Sequence, residues 1–409
     1  MLRVYGNCNH EPSAGQYYRV RVPLRAMAKN KLIDMHLDTP YGDQSQRTNY
    51  LYCGDVSVHF MAGGGNMHKQ FQLIRDFKPK PDAANRMKFP PVLIFDADDD
   101  LGTISPLNPK FATLGTRDGE GRLLEPRDNF GIKIGKNADP VFLWQHGQLT
   151  NYGSFSAGDN IIRHSLVRKV ASTSHAITCT GDELASAISK WNSTTHVYHN
   201  SLLFDDICKI NILRPSDEVR VMWQGGYSHY PDFYPLKGAF GKAAKKMPFV
   251  KWIFFGQLFK WVTENIPMPR IEFHRWVKPG EDLQAYWLKL ASLGVDINLA
   301  PLVDNQFNIC KSGLKFYEAA AHAIPTLAAN AGPYGREIED GVNGLLFNTP
   351  EEFVEKLELL VKDKTYRKAL GKRAEEWVRE HRDAMKNCIP LYEFYEKLHL
   401  ESGNAKLAA

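Results

Sequence analysis

The sequence lacks the features that mark secreted, membrane-spanning and zinc-binding proteins. Its six cysteines are scattered through 409 residues without C-x-x-C spacing, which argues against a disulfide framework and a zinc knuckle. The longest apolar runs, such as PPVLIF and KWIFF, are far shorter than the roughly 20 residues that cross a bilayer. Met1–His10 also has no hydrophobic signal core. We therefore expect reduced thiols, no membrane span and a cytoplasmic location.

Neither sign of charge is in large excess. The formal net charge is only +5, which permits a polyanionic partner without requiring one. There is no repeat of solenoid period and no low-complexity tract. A chain of this length with 43% hydrophobic residues predicts two globular domains.

Two series of strand-like runs alternate with helical segments. The first series is LRVYGN, KLIDMHL, VSVHF, PVLIFD, PVFLWQ, HAITCT and THVYHN, and the second is RVMWQGG, KWIFFG, RIEFHR, VDINLA, PTLAA and NGLLF. This rhythm predicts two parallel sheets of the α/β class. We place the joint within Asn200–Asp217, which divides the chain into domains 1–205 and 206–382. An amphipathic helix of about Asp383–Leu398 lies in the last segment, 383–409.

The stretch Val295–Phe347 predicts a strand, a polar loop and a helix. Lys311 and Lys315 lie four apart on one face of that helix, and Glu318 follows three residues later. A phosphate would fit at Ser312, Gly313 and Leu314, where free N–H groups begin the helix. The alternative is an ordinary βα unit in which Glu318 pairs with one of the lysines.

The sequence EAAAHAIPTLAANAGPYGREIEDGVNGLLF, which begins at Glu318, resembles the nucleotide-sugar half of GT-B glycosyltransferases of the family 4 type. The resemblance implies two Rossmann-like domains facing each other across a cleft, with the C-terminal helix crossing back to the first domain. It also implies transfer of a sugar from a nucleotide-sugar, most readily a UDP-sugar, with retention of configuration and with Glu318 on the ribose. The pattern PLxDNxFNxxKSxLKxxE is similar to glycosyltransferases of bacteriophage genomes.

One position departs from the family pattern. Many members carry an acid eight positions before the helix glutamate, and here that position is Cys310. Asp304, Asn305 and Asn308 are the candidates for its sugar-holding role. The departure also leaves open a non-catalytic protein that binds nucleotide-sugars.

Further donor contacts are expected where strands end in glycines or polar residues. The candidates for the diphosphate are Gly225, Gly226, Ser228, His229 and Lys237, because glycines let the backbone approach phosphate. Gly15 lies in a turn before a helix predicted to begin near Pro23, and the resemblance places that turn under the donor phosphates. His274 and Arg275 end a later strand, where the resemblance implies contact with the base of the nucleotide. The alternative is that they form a plain strand end.

Four carboxylates follow one apolar strand, at Asp96, Asp98, Asp99 and Asp100. Such a group binds a divalent metal in the GT-A fold, but a single-sheet fold does not account for the second strand series. We therefore assign Asp96 and Asp100 to the acceptor and Asp98 and Asp99 to catalysis, with no cofactor and no metal required, because the lysines stabilise the leaving diphosphate. Solvated capping acids are the alternative. The resemblance implies that His146, at another strand end, contacts the transferred sugar, although a lone histidine is more often structural.

The acceptor prediction rests on basic residues in the first domain. One group is Lys69, Arg75, Lys78, Lys80, Arg86 and Lys88, and another is Arg19, Arg21, Arg25, Lys29 and Lys31. Together with Tyr17 and Tyr18 as stacking partners for a flipped base, they favour double-stranded phage DNA containing hydroxymethylpyrimidine. The alternatives are solvated surface faces and a protein or cell-surface glycan as acceptor.

Overall fold

The computed structural model describes residues 1–7, 14–38, 47–61, 65–76, 90–105, 108, 110–117, 121–125, 156–210, 212, 218–275 and 283–402. Within them the chain forms two six-stranded sheets. The first contains β1 (Leu2–Asn7), β2 (Ile33–Asp38), β3 (Val56–Phe60), β4 (Val92–Ala97), β5 (Ala176–Cys179) and β6 (Thr195–Val197). The second contains β7 (Val219–Gly225), β8 (Val250–Gly256), β9 (Ile271–Arg275), β10 (Ile297–Ala300), β11 (Thr326–Ala329) and β12 (Leu345–Phe347).

Helices separate most of these strands. Those of the first half are α1 (Val22–Lys29), α2 (Arg47–Cys53), α3 (Gly65–Asp76), α4 (Phe111–Leu114), α5 (Ala157–Thr173) and α6 (Asp182–Ile188). Those of the second half are α7 (Tyr230–Phe233), α8 (Lys237–Lys246), α9 (Lys260–Asn265), α10 (Leu283–Ser292), α11 (Gln306–Ile309), α12 (Leu314–Ala320), α13 (Gly332–Glu337), α14 (Pro350–Lys362), α15 (Lys364–His381) and α16 (Ala384–Glu401). Short 3-10 helices occur at Leu101–Thr103, Phe204–Asp206, Tyr227–His229, Tyr234–Leu236 and Met268–Arg270.

All strand pairs within the two sheets are parallel, and this part of the prediction is confirmed. The order is β2-β1-β3-β4-β5-β6 in the first sheet and β12-β11-β10-β7-β8-β9 in the second. Each order reverses direction once, between β1 and β3 and between β7 and β10. In open parallel sheets, ligands bind at the carboxyl ends of the strands that flank such a reversal.

The last helix connects the two halves of the chain. Helix α16 packs against α1, and Asn30 donates a hydrogen bond of 2.8 Å to the carbonyl of Met385. The rings of His196 and Phe394 stack at 4.5 Å. The C-terminal helix therefore crosses back to the first sheet, as expected.

The segment before α1 differs from the prediction. It is helical from Ala14 onward, with a π-helical turn at Tyr17–Arg21 before α1, whereas the sequence predicted a turn up to Pro23. Proline lacks the N–H that an α-helical bond requires, and a π-helical turn is one way for a helix to absorb that loss. The side chains of Tyr17–Val20 are buried, which also favours the earlier helical start.

Among the described helices, none combines the length and the apolar character that a bilayer span requires.

Candidate active site

One cavity, which we name the main cavity, lies at the strand ends where the order of each sheet reverses. It measures about 260 Å³ and is lined by residues of both halves of the chain, from Ala14 and Gly15 to Pro333 and Tyr334. A second cavity of about 210 Å³ adjoins it. Both cavities share Ala14, Ser228, His229, Leu314 and Lys315. The segment that begins at Ala14 and the loops after β7 and β10 thus meet in one place.

The loop before α12 and the first residues of α12 bring together the side chains that were predicted to bind phosphate. Lys311, Ser312, Leu314 and Lys315 all line the main cavity. Gly313 lies between Ser312 and Leu314, where an added Cβ would be 2.5 Å from Glu337 Oε2 and so could not be accommodated without movement. The Lys311 ammonium lies 4.5 Å from the ring centre of Phe307. Two lysines and a hydroxyl therefore face one cavity.

Ser312 is held from the other half of the chain. Asn200 donates a hydrogen bond of 2.8 Å to its hydroxyl oxygen, and Asn200 also accepts one of 3.1 Å from Arg19. Asn200 was not among the predicted site residues, because a single asparagine after a strand carries no motif. Its contact fixes the start of α12, which we call the lysine helix because it carries Lys315, against the first sheet.

His229 lies between a carboxylate and a lysine. Its Nδ1 is 2.9 Å from Asp232 Oδ2, and its Nε2 is 3.0 Å from Lys315 Nζ. Burial and the neighbouring Lys315 lower the pKa of His229 to about 3, so the imidazole is neutral. Burial and the charge of Lys311 likewise lower the pKa of Lys315 to about 8. Asp232 was also missed, although its spacing of three residues from a histidine was a signal.

Glu318 is buried among three hydrogen-bond donors. Tyr18 donates to Oε1 at 2.6 Å, while Gln224 and Tyr286 both donate to Oε2 at 2.8 Å. Burial raises the pKa of Glu318 in opposition to these bonds and to the charge of Lys315. Tyr18, Gln224, Tyr286 and Glu318 line the second cavity together with Gly225 and Gly226.

The first half of the chain contributes carboxylates to the main cavity. Asp98 and Asp99 line it together with Gly15 and Lys110. An added Cβ at Gly15 would lie 2.4 Å from Asp98 Oδ2, so the absence of a side chain there lets the helical segment pack on the carboxylate. Burial, followed by the charges of Asp99 and Asp96, raises the pKa of Asp98 to about 8.

Arg19 and Asp96 are paired with each other and do not face an acceptor as predicted. They form a bidentate ion pair with two distances of 2.9 Å, and both residues are 1% exposed. Arg19 also donates to the carbonyl of Tyr198, and Thr178 donates to Asp96 at 2.5 Å. These contacts join β4, β5 and the segment after β6. The pair links these elements of the first sheet, so neither side chain is free for the acceptor contact that the sequence predicted.

The contacts of Tyr17 and Asp100 also differ from the acceptor roles that the sequence predicted. Tyr17 is 3% exposed and its hydroxyl lies 3.4 Å from Asp206 Oδ2, so its ring is not available to stack on a base. Asp100 accepts hydrogen bonds from the Gly102 amide at 3.1 Å and the Thr103 hydroxyl at 2.9 Å. Its carboxylate therefore caps a 3-10 helix.

Three residues were predicted to take the sugar-holding role of the acid that Cys310 replaces, and none of them lines the main cavity. Asp304 is exposed and borders a separate groove of about 240 Å³. Asn305 accepts from the amide of Asn308 at 2.9 Å as the cap of α11, and the Asn308 amide group donates to Asp232 Oδ1 at 2.7 Å. Burial raises the pKa of the Cys310 thiol to about 12, so this position supplies no charge.

Four other candidates lie apart from the cavities or beyond the described residues. Lys237 begins α8, with its ammonium 5.5 Å from the ring centre of Tyr234. His274 and Arg275 lie on β9, two strands away from β7, where His274 Nε2 is 2.6 Å from Glu272 Oε1. Their roles toward the donor stay predictions. His146 lies outside the described residues.

The helix that carries Lys315 and Glu318 has recognisable relatives. Residues 311–377 match the family model "Glycosyl transferases group 1". The match begins at Lys311 and covers the lysine helix together with α13, α14 and most of α15. No curated protein matches the sequence significantly.

Solved structures match the whole chain with little sequence identity. Sucrose-phosphate synthase from Thermosynechococcus elongatus is 12% identical with a TM-score of 0.61, and the match covers 98% of this chain and all of the other. The Anabaena protein HepE, solved in complex with UDP-glucose, is 12% identical with a TM-score of 0.56 over 97% of this chain and all of its own. A glycosyltransferase from Rickettsia africae is 10% identical with a TM-score of 0.53, covering 97% and 98% of the two chains.

These likenesses establish the architecture. The fold is GT-B. The fold and the group 1 match support a transferase.

Proposed function

We propose that the protein is a glycosyltransferase that moves a sugar from a nucleotide-sugar to a hydroxyl acceptor with retention of configuration. The observation that carries the proposal is the convergence of Lys311, Lys315 and Glu318 with Asp98 and Asp99 on two adjoining cavities. Cationic groups suit a diphosphate, and a buried carboxylate suits ribose hydroxyls. The complex of the HepE relative with UDP-glucose supports a UDP-sugar as the donor.

Each side of the cavity has a separate part in this reaction. The bond between the anomeric carbon and the diphosphate oxygen breaks, and negative charge grows on the leaving group. Lys311 and Lys315 stabilise that charge electrostatically. Asp98 and Asp99 accept a hydrogen bond from the acceptor hydroxyl, whose oxygen forms the new bond to the sugar while its proton passes to the leaving diphosphate oxygen. His146 is proposed to contact the transferred sugar.

We propose that no divalent metal is required, because the two lysines supply the positive charge that a cation supplies elsewhere. Among the described residues, no three His, Cys, Asp or Glu side chains are grouped to hold a metal ion. Transfer should continue in EDTA. Complete loss of activity on chelation, with recovery on adding magnesium or manganese, would contradict this part of the proposal.

For the acceptor we propose hydroxymethylpyrimidine in phage DNA, which rests on the phage-like sequence patterns and the basic stretch that includes Lys69 and Arg75. Both side chains are exposed on α3. Against this, Arg25 and Lys29 are paired with Asp206 and Asp205 at 2.5 and 2.7 Å. This pairing favours a protein or cell-surface glycan as the second candidate.

The test is a panel of nucleotide-sugars incubated with the protein, first alone and then with hydroxymethylated duplex DNA, a protein or a glycan. An active transferase releases free nucleotide slowly even without acceptor. Binding without any release of nucleotide would favour a non-catalytic protein. If DNA is the acceptor, duplex binding should weaken steeply with salt. Absent or salt-independent DNA binding, with transfer to a protein or glycan, would refute the DNA acceptor alone.

A further inference from the structure

Four side chains from three segments form one chain of hydrogen bonds that ends at the main cavity. Asn308 donates to Asp232 Oδ1 at 2.7 Å, Asp232 Oδ2 lies 2.9 Å from His229 Nδ1, and His229 Nε2 lies 3.0 Å from Lys315 Nζ. The side chain of Asp232 is only 4% exposed and that of His229 is 22% exposed. Apart from Lys315 and His229, the members of this chain do not line the cavity.

The direction of each hydrogen bond follows from the charge states. Burial opposes ionisation of Asp232, but the charge of Lys311 and the bond from His229 lower the pKa of Asp232 to about 2. An ionised carboxylate only accepts hydrogen bonds, so Nδ1 of the neutral His229 must carry the proton. Nε2 then has a lone pair and accepts from the Lys315 ammonium. His229 is thereby an acceptor for a lysine, whereas the sequence suggested a donor to phosphate.

We propose that Asp232 is a positioning residue: through the tautomer of His229, it orients the Lys315 ammonium toward the place where the donor diphosphate binds. One N–H of the ammonium is directed at His229, which leaves the other two for the cavity. The inference rests on the proposed function only for the identity of the ligand. The arrangement itself is a property of the free protein.

The first test is made on the wild-type protein, and a variant is needed only to assign the signal. The nitrogen chemical shifts of His229 in ¹⁵N-labelled wild-type protein report which ring nitrogen carries the proton, with the signal assigned through a His229→Gln spectrum. We expect protonation at Nδ1 and a bare Nε2 near neutral pH. Protonation at Nε2 would overturn the proposal.

The second test is Asp232→Asn, which keeps the size of the side chain. Oδ1 of Asp232 accepts from Asn308 and, at 3.3 Å, from the amide of Val303, whereas among the described residues Oδ2 has His229 as its one partner. The new amide oxygen should therefore face those two donors, and its NH₂ group should face His229 and force the other tautomer. Nε2–H would then point at the Lys315 ammonium and repel it.

Lys315 itself provides the readout. Lys311, Asp232, Glu318 and His229 all act on its charge, and the variant removes both a favourable charge and an acceptor. Competitive acylation of lysines at several pH values should show the pKa of Lys315 falling by about one unit or more in Asp232→Asn. The exposed Lys242 serves as an internal control whose labelling should not change. The dissociation constant of UDP at pH 7.5 should rise about tenfold.

A second-site swap distinguishes positioning from simple damage. In the double variant Asp232→Asn with Asn308→Asp, the new carboxylate faces the amide NH₂ group, and the amide oxygen can accept from His229 Nδ1–H again. We expect Lys315 labelling and UDP affinity to recover part of the loss, because the Val303 amide would then face the NH₂ group of the new asparagine and the Val303 carbonyl would face the new carboxylate. A Lys315 profile in Asp232→Asn equal to wild type, or no recovery in the folded double variant, would overturn the proposal. If the wild-type protein bound no nucleotide, the proposed function would fail, but the labelling result would stand because it needs no ligand.

Discussion

The hydroxyl of Tyr18 donates a hydrogen bond of 2.6 Å to Glu318, although the two residues are 300 positions apart. Tyr18 lies beside the first sheet, while Glu318 and its other two donors, Gln224 and Tyr286, belong to the second half of the chain. The bond therefore crosses the cleft. It occupies the carboxylate that we propose for the ribose, so donor binding and this contact compete.

Replacement of Tyr18 should relieve that competition. In Tyr18→Phe we expect UDP to bind about fivefold more tightly, because one hydrogen bond of about 1 kcal/mol no longer has to be broken. Tyr286→Phe is the matched control, since its hydroxyl binds the same carboxylate from within the second half. Calorimetric titration of both variants measures the difference. Weaker UDP binding in Tyr18→Phe would instead mean that Tyr18 holds Glu318 in place for the ribose.

Replacement of Glu318 by Gln should weaken donor binding while the fold is kept. The amide has the same shape, but it loses the charge that strengthens hydrogen bonds to ribose hydroxyls, which costs about 1.5–3 kcal/mol. We expect a rise of about tenfold or more in the dissociation constant of UDP, with a smaller rise for the 2′-deoxy analogue. Circular dichroism checks the fold. Unchanged UDP affinity in the folded variant would refute the ribose assignment.

Donor binding should depend on pH through Lys315. Burial and the neighbouring Lys311 lower its pKa from 10.5 to about 8, so the ammonium is lost as the pH rises through 8. UDP affinity should fall between pH 7 and pH 9. Lys315→Arg should remove this dependence, because arginine stays charged throughout that range. An equal fall in both proteins would assign the titration to another group.

The same lowered pKa also affects stability, with a definite sign. Between pH 8 and 10.5 the unfolded chain binds more protons at Lys315 than the folded chain does. The contribution of Lys315 to the free energy of unfolding therefore rises with pH across this window. The difference between wild type and Lys315→Met in chemical denaturation at pH 7.5 and pH 10 would measure it. A contribution that falls with pH would contradict the buried environment of this lysine.

Gly15 should be intolerant of a side chain. In Gly15→Ala the added Cβ would meet Asp98 Oδ2 at 2.4 Å and the Phe60 ring at 2.6 Å. We expect a loss of about 1–3 kcal/mol in stability and reduced transfer, because the carboxylate must move. Gly226→Ala is the control for stability, since nothing lies within 4 Å of a Cβ there. Equal melting temperatures for the two variants would show that the segment around Gly15 yields without strain.

The local elements were predictable because local patterns encode them. Apolar runs between turn residues predicted strands that pair in parallel. The spacing of Lys315 and Glu318 predicted the helix face that lines the cavities, whereas Lys311 lines the main cavity from the loop before α12 and not from the helix as predicted. Both signals act over a few residues. The run of four carboxylates after β4 also led to the assignment of Asp96 and Asp100 to the acceptor, whereas only Asp98 and Asp99 line the main cavity.

The sequence by itself thus determined the two sheets, the lysine helix and the loops that meet at the cleft. Only the tertiary structure decided the state of each side chain, because that state depends on partners distant along the chain. Asp96 is neutralised by Arg19, 77 positions away, and Lys315 is held by His229, 86 positions away. Burial then decides which of these charges survive, since a charge taken out of water persists only beside a partner. No pattern of neighbouring residues contains that information.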